Sequence, residues 1–312
     1  MPLVLITILV SIAGLVLFCL VHAMAPINIT LETVPAAGCR DTKMAKPCAN
    51  ILNGLALYGS FWTILAAVAV ASIVAARSSL KLNFSAKFQN WMYGTFAVAT
   101  VLFTASFVQE TFPYWRIAGR IFTNTVSAFG HGAWFKPSLH VANFLTAAGA
   151  IAIAVACVSQ PYRECDAEAD TEWGPHYGST MASLRNLVTL GALLLVVGIM
   201  FLSTWLAIPV ALIPAEEQAK TYRSLIDAIV TLHGAAYSAA LFILYFVSAS
   251  RIQKKALTEQ LKINKQTDKE AYLKKYSLTL APPAYLLDAI KVVAPLLTAK
   301  LFEPLAKYFS TL

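Results

Sequence analysis

Long apolar runs, each closed by a cluster of polar or basic residues, recur from the start of the chain to about position 250. A helix needs about 20 such residues to cross the hydrocarbon of a bilayer, because every backbone N–H and C=O must be satisfied within the segment. Six stretches reach that length: Leu3–Met24, Ile51–Ala76, Trp91–Val108, Leu139–Val158, Leu187–Ile208 and Ser224–Ser248. The pattern predicts an all-α polytopic membrane protein, with about six transmembrane helices over residues 1–250. A basic, helical segment over 251–312 follows.

Composition supports this. Of 312 residues, 58% are hydrophobic and 13% charged, and the mean hydropathy is +0.65. Soluble domains run near 45–50% apolar and about 25% charged. Too little polar sequence remains here to coat a water-soluble globule. Disorder and a small disulfide scaffold are excluded on the same ground. The first stretch reads as a retained span, since no Lys or Arg precedes it. Its apolar run also exceeds the usual signal-peptide core of ~7–15 residues. Residues 21–23 loosely imitate a cleavage site.

Basic residues set the orientation. With the N terminus cytoplasmic, 16 of the 24 Lys and Arg fall on the inner side. The expected location is therefore the cell inner membrane, with both termini cytoplasmic. Cys39 and Cys48 then face outward, where an oxidising compartment would let them close a short structural disulfide. Asn28 and Thr30 form a glycosylation sequon on the same side.

The connecting segments are uneven. Residues 109–138 interleave Phe112, Tyr114, Trp115, Phe122, Phe129, Trp134 and Phe135 with Arg116, Arg120 and Lys136. Such a mixture suits an interfacial helix at headgroup level, with a cap over a pore as the sharper reading. The inner loop 162–185 carries Asp166, Glu168, Asp170 and Glu172, without the glycine or terminal glutamate of a calcium loop. From Arg251 onward there are eleven basic and five acidic residues. Pro282 and Pro283 interrupt that tail, and Ala284–Leu312 reads as short apolar helices rather than a seventh span. Charges at Asp288, Lys291 and Lys300 would each cost roughly 2.5–3.5 kcal/mol at midplane.

Chemistry is sparse. Asp227, Thr231, Gly234, Ser238 and Tyr245 fall at helical spacing on one stripe of the sixth span. A carboxylate at the outer mouth and hydroxyls below it suit a cation pathway. The competing reading makes Asp227 a helix cap at the interface, with Thr231 and Ser238 bonding back to their own carbonyls. His22, His140 and His233 lie toward the outer leaflet and His131 in the aromatic segment, but none forms a ligand pair on one helix. Haem ligation across helices is the alternative they leave open. Nucleotide-fold loops and zinc or serine hydrolase motifs are missing, so no catalytic or metal site is expected.

In layout the chain resembles the small membrane-channel effectors of bacterial antiphage defence systems, in which a cytoplasmic segment responds to a nucleotide signal. The resemblance covers span number, polarity and the basic tail and rests on no motif, so no residue roles follow from it. The expected function is a gated ion channel in a homo-oligomer, its partners being the bilayer, other copies of itself and an anionic nucleotide or oligonucleotide. The stripe from Asp227 to Tyr245 lines the pore. Lys254, Lys255, Lys262, Lys265, Lys274 and Lys275 bind the ligand, and Leu286, Leu287, Ile290, Val293 and Leu297 plug the inner mouth. No cofactor is expected. The other classes are a membrane redox subunit using haem or quinone, and a structural subunit of a membrane complex.

Overall fold

The computed structural model describes residues 45–81, 132–163, 173–213, 215–263 and 268–279, together with residues 90, 93, 94, 96–98, 101, 294, 297 and 298. Every element in them is helical: α1 (Ala45–Lys81), α2 (Gly132–Ser159), α3 (Trp173–Ala207), α4 (Glu216–Ile263) and the short α5 (Lys269–Lys275). Two 3₁₀ turns, Gln160–Tyr162 and Ile208–Leu212, close α2 and α3. Each has a proline as its second residue, Pro161 or Pro209, which removes a helical donor. Four helices, α1 to α4, are long and apolar enough to cross a membrane.

α3 is the centre. Of its most apolar window 61% is buried, against 22% for α1 and 39% for α4. It packs on all three other long helices. Small residues permit the closest approaches. A Cβ on Gly149 of α2 would stand 2.8 Å from Leu194 of α3 and 3.3 Å from the Ala69 backbone of α1. On Gly191 of α3 it would stand 3.1 Å from Ile153 of α2 and 3.4 Å from Leu241 of α4. Backbones pack this tightly in lipid because dispersion, and not exclusion of water, draws helices together there. Some buried hydroxyls bond back within their own helices: Ser72 donates to Val68 O at 2.8 Å and Thr204 to Met200 O at 2.7 Å.

α1 and α2 run parallel. At one end Ser138 donates its hydroxyl to Phe135 O, so the Tyr58 hydroxyl, 2.7 Å from Ser138 Oγ, donates to it. Trp62 Nε1 donates to Ser138 O at 3.0 Å, and the Tyr58 ring lies between Phe135 and Phe201. At the other end Gln160 Nε2 donates to Ser79 Oγ at 2.7 Å. Both helices thus travel the same height in the same direction, and Lys81 ends at the opposite end of the bundle from where Gly132 begins.

The helices overrun the stretches expected from the apolar pattern. α3 starts at Trp173, within what reads as an inner loop, since Pro175 is tolerated in a first helical turn. α2 takes in Trp134 and Phe135 from the aromatic segment. α4 begins at Glu216, so Asp227 lies in its fourth turn and does not cap it. At 48 residues α4 is ~72 Å long, far beyond a hydrocarbon core of about 30 Å. It passes position 250 unbroken and ends at Ile263.

Candidate functional site

The end of the bundle that holds Gln160 gathers most of the unusual chemistry. Gln160 is buried, and its Nε2 also reaches Ala156 O. The rest of its 3₁₀ turn receives two cations from α4: Arg251 Nη1 donates to the Tyr162 hydroxyl at 2.8 Å, and Lys255 Nζ reaches Pro161 O at 3.4 Å. Arg163 follows the turn directly. Opposite stands His176, in the first turn of α3 and nine residues before Arg185, where the apolar part of that helix begins. Burial, then the charges of Arg163 and Lys255, hold its imidazole below the ordinary histidine range. Its Nε2 is buried and has no hydrogen-bond partner among the described residues.

The tail closes over this end. Asp268 caps α5, its carboxylate accepting from the Glu270 and Ala271 amides. At the other end Ser277 N–H bonds Lys274 O and Leu278 N–H bonds Leu273 O, a Schellman arrangement with Ser277 in the left-handed region at φ 55°. The motif turns Leu278 into the core, where it is fully buried beside Tyr272. Tyr276 lies over the start of α3. A Cβ on Gly174 would overlap its ring, and one on Gly178 would stand 3.0 Å from its carbonyl oxygen. Two glycines four residues apart on one helix face thus form the notch that receives the tail. Ser277→Gly should stabilise this cap by about 0.5–1 kcal/mol, because glycine adopts positive φ freely. Slower amide exchange across 272–278 is the expected readout.

The expected ligand lysines are placed unevenly. Lys254 and Lys255 are exposed on α4, and only Lys255 meets the 3₁₀ turn. Lys262 is held by Glu259 at 2.8 Å. Lys274 and Lys275 end α5, with Lys275 Nζ 4.9 Å above the Tyr276 ring. Lys265 lies outside the described residues. So do Leu286, Leu287, Ile290 and Val293 of the expected plug, while Leu297 is 47% exposed.

The stripe on α4 is divided. Asp227 is exposed and Thr231 half-buried, whereas Gly234, Ser238 and Tyr245 are buried, on the face that packs against α3. The buried positions Ser238, Leu241, Tyr245, Ser248 and Ile252 alternate three and four residues apart. A contact line of that period drifts about 20° per heptad around a straight helix. Between Tyr222 and Ala256 it therefore moves roughly a quarter-turn, so a straight stripe that is buried at one end emerges at the other.

Cys39, His22 and His131 lie outside the described residues, as does the side chain of Cys48. His140 and His233 are half-buried on α2 and α4, and His233 Nδ1 is 2.8 Å from Ile229 O of its own helix. Among the described residues no group of three or more metal-ligating side chains gathers. Arg251 and the Gly174–Gly178 notch escape a reading of the sequence because their partners are 89 to 102 positions away, and His176 because one of the two cations beside it, Lys255, is 79 positions away; the spacing of the two glycines is the local signal of a close approach. No protein-family model matches the chain, and no curated protein or solved structure matches it either.

Proposed function

We propose that the protein is a membrane channel subunit whose pore forms between copies of the chain and opens when an anionic ligand binds at the cytoplasmic side. The observation that carries this is the docking of the lysine-bearing α5 on the first turns of the central helix, through Tyr276 at Gly174 and Gly178. A ligand gathered by the tail would thereby act directly on the helix that contacts every other long helix. A channel also needs subunits in a ring, because the interior around α3 is filled with apolar side chains. The pore then belongs at the outward face of α4, where Asp227 and Thr231 stand.

Six crossings suit this reading. The parallel run of α1 and α2, which puts Lys81 and Gly132 at opposite ends of the bundle, is compatible with the crossing that the apolar pattern expects at Trp91–Val108, and the same pattern expects another at Leu3–Met24. An even number puts both chain ends on one side, and the bias of Lys and Arg makes that side cytoplasmic.

The test is ion flux from liposomes carrying the purified protein, with and without cyclic nucleotides and short oligonucleotides. Flux that appears only with one of these ligands is expected; electrically silent protein under every ligand would sink the channel. Asp227→Asn should then lower cation over anion permeability by about fivefold, the weight of ~1 kcal/mol from one charge near the ion path. Unchanged reversal potentials in asymmetric salt would remove Asp227 from the pore.

A further inference from the structure

We infer that the tail end of the bundle carries a phosphate-binding site formed by Arg163, His176, Arg251 and Lys255. This deepens the ligand-opened reading and rests on it for the ligand's role, although binding can be measured without it. Three of these groups are cations or strong donors brought to one 3₁₀ turn: Arg251 and Lys255 by their bonds to Tyr162 and Pro161, Arg163 by following it in sequence. The two α4 residues are one helical turn apart, so they reach the same place from one face. His176 comes from the facing helix, with its Nε2 buried and lacking a partner among the described residues. Its first-turn position adds the positive end of a 35-residue helix.

Charge balance identifies the class of ligand. Among the described residues no carboxylate pairs with Arg163, Arg251 or Lys255, and Glu259, one turn beyond Lys255, is engaged by Lys262. Among the described residues, positive charge is thus collected around this turn, on half-buried Arg163 and Arg251 and exposed Lys255, without a paired carboxylate. Arg251 uses one of its five donors on Tyr162 and keeps the others; the Lys255 contact, at 3.4 Å, is long enough to yield to a better acceptor. A phosphate group answers both the fork geometry of arginine and the point charge of lysine. Free phosphates and lipid headgroups share that chemistry.

The experiment separates the two sources. Full-length protein in phosphatidylcholine nanodiscs is titrated with ATP and with pyrophosphate by calorimetry. In parallel, its melting temperature is compared between phosphatidylcholine nanodiscs and ones containing phosphatidylglycerol. Saturable binding of ATP or pyrophosphate, weakened about tenfold or more in Arg163→Gln and in Lys255→Gln, assigns the site to a free phosphate. Stabilisation by phosphatidylglycerol alone, lost in the same variants, assigns it to a lipid headgroup. Lys262→Gln, paired away from the turn, should behave as wild type, and Arg163→Lys should bind with intermediate affinity, guarding against a folding defect. Variants that bind and melt as the wild type does, or a wild type that responds to neither probe, would overturn the site. Intact binding with no ligand-dependent flux would instead sink the channel and leave the site standing.

Discussion

Replacing Gly149 with leucine is expected to remove most of the folded protein. Three helices meet at that position: the first atom of any side chain there would lie 2.8 Å from Leu194 Cδ2, 3.3 Å from Ala69 Cα and 3.4 Å from the Ala69 carbonyl oxygen. Leu194 can rotate away. The Ala69 backbone cannot move without shifting α1 as a body, and α1 is tied to α2 near both ends, at Tyr58–Ser138 and Ser79–Gln160. Extra carbon forced into a packed interior costs roughly 1–3 kcal/mol, and more where backbone must yield. Natural stability margins are only about 5–15 kcal/mol. Gly149→Ala should lower the melting temperature of detergent-solubilised protein by several degrees, and Gly149→Leu should abolish the monodisperse peak in size-exclusion chromatography. Gly198→Ala is the internal control, because its nearest neighbour outside α3 would be Thr146 Cγ2 at 3.6 Å, an ordinary contact. A leucine variant that elutes and melts like the wild type would mean that α1, α2 and α3 do not meet at this glycine.

The helical class and the four long helices are legible in the apolar runs, because a bilayer-length run of nonpolar residues leaves the backbone no other way to satisfy itself. What the runs do not reveal is where helices stop. Hydrophobicity ends at the membrane surface, but α3 and α4 continue into polar sequence as far as Trp173 and Ile263. The stripe on α4 shows a second limit. Spacing at 100° per residue correctly groups Asp227 with Tyr245, yet packing against α3 follows a heptad period and separates them. The cluster at Gln160–Arg163 shows a third. Neither Tyr162 nor Arg251 is unusual locally, and their meaning comes from an 89-residue contact that no motif encodes. A short apolar signal was present at Leu278, but its burial depends on Ser277 adopting positive φ, which sequence gives little reason to expect of serine.

Tyr276→Ala should free the tail from the bundle and disconnect ligand from response. A seven-residue helix has almost no stability of its own, since isolated helices shorter than ~12–15 residues are marginal in water. Its caps at Asp268 and Ser277 shape α5 but do not attach it; attachment comes from Tyr272, Tyr276 and Leu278. Removing a half-buried ring forfeits about 2 kcal/mol, toward the low end for large-to-small substitutions, and so changes the docked fraction roughly thirtyfold. Trypsin cleavage at Lys274 and Lys275, and amide exchange at 272–278, should both accelerate by that order, while the melting of the bundle changes little. Gly174→Leu attacks the same joint from α3, filling the space that the Tyr276 ring occupies, and should reproduce the tail's release without altering any tail residue. In liposomes both variants should still bind the anionic ligand through Arg163 and Lys255, which lie outside the joint, yet flux should no longer depend on it. Release of the tail in both variants with ligand-dependent flux intact would show that α5 docking is a packing feature alone. The stimulus would then have to reach the bundle through the 3₁₀ turn, where Arg251 and Lys255 already join α4 to the end of α2.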